Sequence, residues 1–164
     1  MCVSYYDEYY VKKFVNKSGK DLYPSLGKLS SYEICGKEEL VFSQICRMKL
    51  CYKESTKCIV LKKYLKEKRA NDNQPSVEKE YNILYYLYQR FLSLEGINVI
   101  KPLAFLPEED ILITEEFVAN KLNSLIVKDI RWIPSKEKKK QVENYFSQCG
   151  RWLRYFQKFT KRDE

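Results

Sequence analysis

A lysine on a predicted strand and a glutamate on the helix that follows it constrain this chain most strongly. The segment from Lys57 to Tyr64 reads Lys-Cys-Ile-Val-Leu-Lys-Lys-Tyr, and Lys62 lies near its end. A helix begins near Ser76, and Glu80 lies in its first turn, eighteen residues after Lys62. An ammonium group inside a fold is costly unless a carboxylate meets it. We therefore predict an ion pair between Lys62 on a sheet and Glu80 on a helix.

The helical periodicity assigns Glu80 to the inward side of its helix. Apolar side chains recur at three- and four-residue steps from Ser76 to about Leu94. Glu80 lies four residues before Leu84, at the edge of this apolar stripe, whereas Glu78 points roughly the opposite way. Ser76 is a suitable N-cap, and both carboxylates suit the positive first turn. Glu80 is thus the predicted partner of the strand lysine.

Alternating and apolar segments predict an antiparallel sheet around this helix. Segment 42–50 alternates between apolar and polar residues, which is typical of a strand with one buried face. Further strands are predicted over 31–35, 58–64, 99–106 and 111–117, with a single-glycine turn at 36–40 and a short helical turn at 120–127. A long amphipathic helix is predicted over 141–159. The order predicts an α+β fold: a five-stranded antiparallel sheet, one packed helix and a C-terminal amphipathic helix.

The composition of the 164 residues narrows the class of protein. The chain is 45% hydrophobic and 15% aromatic, which predicts a folded core. No apolar run approaches the roughly eighteen residues that a membrane span needs. The N-terminus lacks the pattern of a secretion signal, so the six cysteines are predicted to be reduced thiols of a cytoplasmic protein. No C-x-x-C pair and no histidine occur, so no metal site is predicted.

The net charge of +8 is compatible with a nucleic acid, an anionic membrane surface or a phosphorylated ligand as partner. However, the lysines are mixed with acids over 63–69 and 136–140, and mixed runs are typical of solvated faces. We therefore predict no nucleic-acid partner. A basic nucleic-acid binder with an α+β fold unrelated to the two functional hypotheses given below stays as a third.

The order of elements and five short motifs resemble the small N-terminal lobe of protein-kinase-like phosphotransferases. The resemblance is to the aminoglycoside and choline kinase-like branch, or to lipopolysaccharide kinase-like relatives. Each motif is weak alone, and only their order over residues 30–157 is specific. The strand that covers the nucleotide resembles Ser43-Gln44-Ile45-Cys46-Arg47-Met48, and the lysine strand resembles Val60-Leu61-Lys62. The helix glutamate lies in Lys79-Glu80-Tyr81, and the hinge resembles Glu116-Phe117-Val118. The first helix of the large lobe resembles Gly150–Gln157.

The resemblance implies three parts of the chain and one ligand. The parts are an N-terminal extension over 1–28, a small lobe over 29–118, and the hinge with the first helices of an incomplete large lobe over 119–164. ATP is the implied ligand, with Lys62 on its phosphates and Glu80 orienting Lys62. The residues implied to bind the cofactor are Lys62, Glu80, Ser43, Ile45, Val60, Glu116, Phe117 and Val118.

Departures from the family pattern bear on catalysis. Nothing matches the catalytic H-x-D-x-x-x-x-N, D-x-D or Asp-Phe-Gly elements, which hold magnesium and orient the acceptor hydroxyl. We therefore expect the chain alone to be inactive, and to bind magnesium and phosphorylate a hydroxyl group only with a missing or separate catalytic half. The predicted turn over 36–40 has one glycine, Gly36, where many kinases have three. Glu115 directly precedes the hinge, and a charged side chain is unusual there in the wall of a nucleotide pocket.

Ordinary structural roles are the alternatives for these residues. Lys62 is then a solvated lysine at a strand end, and Glu80 a first-turn acid favoured by the helix dipole. Ser43 is a strand hydroxyl, residues 116–118 are an edge strand entering a loop, and Trp152 belongs with Phe156 to a helix core. A catalytically inactive interaction module on a kinase-like scaffold is therefore the second functional hypothesis.

The predicted helix over 141–159 needs cover for its aromatic stripe, because a large exposed apolar face marks an interface or an aggregation hazard. We expect this helix to fold back on the small lobe, to self-associate, or to dock on a second chain that carries the catalytic half. The first 28 residues are a further candidate for this cover.

Overall fold

The computed structural model describes residues 11, 13–15, 21–65, 76–117, 124, 126 and 135–161. Two compact units divide the chain, the first formed by Met1–Tyr88 with Val99–Glu116 and the second by Gln89–Asn98 with Phe117–Glu164. After a short 3-10 helix at Pro24–Leu26, the elements are β1 (Leu29–Glu39), β2 (Ser43–Tyr52), β3 (Thr56–Tyr64), α1 (Val77–Phe91), β4 (Pro102–Leu106), β5 (Ile111–Glu115) and α2 (Lys136–Thr160).

The five strands form one antiparallel sheet in the order β1-β2-β3-β5-β4. With the helix α1 and the C-terminal helix α2, this sheet confirms the predicted α+β architecture. Residues that pair across antiparallel strands place their side chains on the same face. The register therefore divides the sheet into two faces, and β3 lies at its centre between β2 and β5.

One face of the sheet carries the hydrophobic core of the first unit. The buried positions of β2 alternate as the sequence predicted, because every second side chain points into this core. Four residues from before β1 complete the cluster by packing on the sheet. The buried cluster consists of Val11, Phe14, Val15, Tyr23, Cys46, Met48, Leu50, Tyr52, Ile59, Leu61, Ile111 and Ile113.

The opposite face of the sheet carries Lys62 and is packed by helix α1. Leu112 of β5 pairs with Lys62 on one side and with Phe105 of β4 on the other, so the three share this face. The ring of Tyr81 from α1 lies with its centroid 4.9 Å from that of Phe105. At the start of the helix, the Ser76 hydroxyl accepts a hydrogen bond from the Lys79 amide at 3.2 Å, as its predicted role of N-cap requires.

The boundaries of several elements differ from the predicted ones. Strand β1 extends to Glu39 and includes Gly36, where a turn was predicted. Its register with β2 shifts between Ile34 and Gly36, so Cys35 is the extra residue of a bulge, Gly36 pairs with Arg47, and the turn falls at 40–42. Helix α2 begins at Lys136 instead of residue 141, because Ser135 caps a lysine-rich first turn that shows no apolar periodicity.

Helix α2 packs in the second unit through its aromatic residues. Phe91, at the end of α1, is only 2% exposed, and its ring centroid lies 5.9 Å from Trp152 and 5.4 Å from Phe159. Trp152 in turn stacks on Phe156 at 5.2 Å. The predicted amphipathic helix is thus present, and residue 91 supplies part of its cover. Of the helical turn predicted over 120–127, residues 124 and 126 are described, and both are helical.

Candidate functional site

The predicted ion pair joins the central strand to helix α1. Lys62 lies on β3 directly between Ile45 of β2 and Leu112 of β5. Its Nζ donates to Oε1 of Glu80 at 3.0 Å, across the gap between sheet and helix. The prediction that these two side chains meet is confirmed, and Glu78 is exposed on the other side of the first turn.

Tyr64 is a third member of this site that the sequence analysis missed. Its hydroxyl donates a hydrogen bond to Oε2 of Glu80, the carboxylate oxygen that Lys62 does not contact. The Lys62 amine also lies 4.5 Å from the centroid of the Tyr64 ring, within the range of a cation–π interaction. Tyr64 follows Lys62 by two residues, so strand alternation places both on one face. That spacing was the available signal.

The Lys62–Glu80 pair is only partly buried, which determines both its contribution to stability and the access of solvent to the amine. The side chain of Lys62 is 34% exposed and that of Glu80 is 27% exposed. A pair with this much solvent contact contributes about 1 kcal/mol or less to stability. The first unit therefore does not depend on this pair for its core. The amine keeps access to solvent and can reach a ligand.

The sheet around Lys62 brings together three more predicted residues. Ile45 pairs with Lys62, Ser43 pairs with Tyr64, and Val60 precedes Lys62 by two residues, so all share its face. Ile45 and Val60 are half-buried, and Ser43 is buried. Arg47 pairs with Val60 and lies on this face too, so the two apolar side chains there adjoin two basic groups.

Of the three predicted hinge residues, the structure describes Glu116 and Phe117. The backbone amide of Glu116 donates to the Cys58 carbonyl at 2.8 Å, so it continues the pairing of β5 with β3. Its carboxylate lies 3.6 Å from Nε of Arg47, whose Nη2 lies 3.3 Å from Glu38. Phe117 is exposed and belongs to the second unit, and Val118 lies outside the described residues.

Glu115 faces away from the Lys62 face, which removes the anomaly noted in the sequence. It pairs with Ile59 on the core face, where it accepts a hydrogen bond from the Tyr23 hydroxyl at 3.2 Å. Lys57 lies 3.8 Å from the same carboxylate oxygen. Burial of Tyr23, reinforced by the charge of Glu115, raises the pKa of the Tyr23 phenol well above its usual range.

Other features lie elsewhere in the first unit. An open cavity of about 900 Å³ is lined by residues 25–30 and 53–55, and none of the predicted cofactor residues lines it. Among the described residues, no group of three cysteines or carboxylates could hold a metal ion. The helices in the same part of the chain are too short or too polar to cross a membrane.

Comparisons with protein-family models, with curated proteins and with solved structures found no match to this chain. The Lys62 site is therefore the basis for assigning a function to the chain.

Proposed function

We propose that this chain is the ATP-binding part of a kinase-like phosphotransferase. The observation that carries the proposal is the 3.0 Å contact between Lys62 Nζ and Glu80 Oε1, formed between a central strand and the helix packed on it. In kinase folds a strand lysine contacts the nucleotide phosphates, and a helix glutamate fixes the direction of that lysine. Here Lys62 would contact the phosphates, and Glu80 would orient Lys62.

The surroundings of Lys62 support a nucleotide as ligand. The amine is a third exposed, so a phosphate can approach it without unfolding the site. Ile45 and Val60 offer half-buried apolar surface on the same face, on which a purine base can lie. The Lys62 amine and the two apolar side chains beside it suit the phosphates and the base of ATP, respectively.

Catalysis would need groups beyond those of this site. Magnesium requires carboxylate ligands, and the acceptor hydroxyl requires a group that takes its proton. We propose that a separate catalytic half supplies both, and that the assembly phosphorylates a hydroxyl group. Without that half, the chain is expected to bind ATP and to transfer no phosphoryl group.

A thermal-shift titration with Mg-ATP tests the proposal. A ligand at 100 times its Kd stabilises a protein by about 2.7 kcal/mol, which raises the melting temperature by roughly 5 to 11 °C in a chain of this size. The shift should be lost in Lys62→Ala. Lys49→Ala is the matched control, because Lys49 lies on the same face of the neighbouring strand, opposite Cys58. Absence of any shift in the wild type, or an equal loss in both variants, would contradict the proposal.

A second function is an interaction module without nucleotide, and one observation favours it. Phe146 and Leu153 of α2 are more than half exposed, although both are large and apolar. Exposed apolar side chains on one helix are typical of a surface that binds a partner or a second copy. Light scattering across a concentration series tests this function. A monomer at all concentrations, unchanged in Phe146→Ser, would argue against self-association.

A further inference from the structure

We infer that Tyr64 is a positioning residue, which fixes the Glu80 carboxylate and thereby the direction of the Lys62 amine. The role of this direction in binding phosphates rests on the proposed function. The positioning itself is a property of the free protein, and it can be measured without nucleotide.

The two oxygens of Glu80 have different partners. Oε1 accepts from Lys62 and Oε2 accepts from the Tyr64 hydroxyl. The terminal torsion of a glutamate is broad, so one contact alone leaves the carboxylate free to rotate. A second contact from a stiff side chain removes that freedom, because a tyrosine has only two rotatable bonds. Tyr64 thus holds the carboxylate in the orientation that receives Lys62.

Tyr64 also acts directly on the lysine. The Lys62 amine lies over its ring at 4.5 Å from the centroid. An ammonium group has three N–H donors, of which Glu80 takes one. With the carboxylate at one side and the ring at another, the amine is held in place while part of it stays exposed. This is the arrangement that a phosphate-binding lysine needs before its ligand arrives.

The same three residue types meet on the other face of the sheet and provide an internal control. There Tyr23 donates to Glu115, and Lys57 lies near both. Tyr23 is only 7% exposed, whereas the side chains of Lys57 and Glu115 are 38% and 32% exposed, about as much as those of the Lys62 site. Removal of the Tyr23 hydroxyl breaks an equivalent bond at a place where no nucleotide is proposed.

The first measurement is the NMR shift of the Lys62 ε-methylene protons in the free protein. A ring below the amine displaces these protons upfield, so the displacement should persist in Tyr64→Phe and disappear in Tyr64→Leu. Amide spectra check that both variants stay folded. If Tyr64→Leu does not fold, the displacement in the wild type and Tyr64→Phe still decides whether the ring lies there. Unshifted protons in the folded wild type would overturn the inference.

The second measurement is a double-mutant cycle on unfolding with Tyr64→Phe and Glu80→Ala, because alanine leaves no side-chain oxygen that could accept the Tyr64 hydroxyl. If the hydroxyl holds the carboxylate, the effects of the two changes on the unfolding equilibrium constant should deviate from additivity by roughly fivefold. Additive effects would overturn the inference, because the hydroxyl and the carboxylate would then act independently.

The third measurement is the Kd of Mg-ATP by calorimetry. Tyr64→Phe should weaken binding about fivefold, the loss expected for one hydrogen bond, and Tyr23→Phe should leave it unchanged. Equal effects of both variants would overturn the positioning role. A wild type that binds no Mg-ATP would refute the proposed function, whereas the two measurements on the free protein would still decide the inference.

Discussion

Lys57 and Lys62 project from opposite faces of strand β3, and each contacts a glutamate and a tyrosine. Lys57 pairs with Leu50 on the core face, where its amine lies 3.8 Å from Glu115 and 5.5 Å from the ring centroid of Tyr23. Lys62 faces helix α1 and meets Glu80 and Tyr64. Similar chemistry thus occurs twice on one strand. The group around Lys62 adjoins the half-buried side chains of Ile45 and Val60, which share its face.

Replacement of Glu80 should cost little stability. We expect Glu80→Gln to lower the free energy of unfolding by about 1 kcal/mol, because the pair with Lys62 is partly exposed. Glu78→Gln is the control, since both residues lie in the first turn of α1 and share its dipole. Urea denaturation at low and at high salt measures the difference, which should shrink at about 1 M salt. Equal losses in the two variants would mean that the contact with Lys62 contributes nothing.

Tyr23 should make the stability of the protein fall at alkaline pH. Its pKa in the folded state is raised above the ordinary value of 10.0 by burial and by Glu115. The stabilisation from the protonated phenol is therefore complete below about pH 10 and is lost as the pH rises towards the folded-state pKa. Urea denaturation between about pH 9 and pH 11.5 should show a steeper decline in the wild type than in Tyr23→Phe. Parallel declines would contradict the assignment.

The Lys62–Glu80 contact could be predicted because it depends on two local periods. Alternation along β3 fixed the face of Lys62, and the helical repeat fixed the side of Glu80. Tyr64 carries the same alternation, but nothing in the sequence tells how near its hydroxyl comes to Glu80. That distance depends on how α1 is placed on the sheet, which is a non-local property.

The wrong boundary predicted for β1 and the ambiguity at β5 have the same origin. The bulge at Cys35, next to Gly36, is set by pairing with β2, so the local sequence, in which a glycine indicates a turn, was misleading. At β5 the alternation places Glu115 and Glu116 on opposite faces. The sequence alone did not tell which of them shares the face of Lys62. The register with β3 decides this, and it assigns Glu115 to the core face.

The cysteines should differ sharply in reactivity. Cys46 is fully buried, and burial raises the pKa of its thiol to about 11, whereas Cys58 on the neighbouring strand is exposed. The thiolate is the reactive form, so a thiol reagent near pH 8 should label Cys58 and leave Cys46 unlabelled until the protein unfolds. Mass spectrometry of the labelled peptides measures both sites in one sample. Labelling of Cys46 at the rate of Cys58 would contradict the predicted core.

Phe91 should be the aromatic residue on which the packing of α2 depends. It is 2% exposed and contacts the rings of Trp152 and Phe159, so Phe91→Ala would leave a cavity among them. We expect a loss of about 3 to 5 kcal/mol in the free energy of unfolding. Phe146→Ala removes the same side chain from a position that is 58% exposed and should cost less than about 0.5 kcal/mol. Denaturation followed by near-ultraviolet circular dichroism distinguishes them, because it reports on packed aromatic rings. A small loss for Phe91→Ala, or a large one for Phe146→Ala, would mean that α2 packs through a different face.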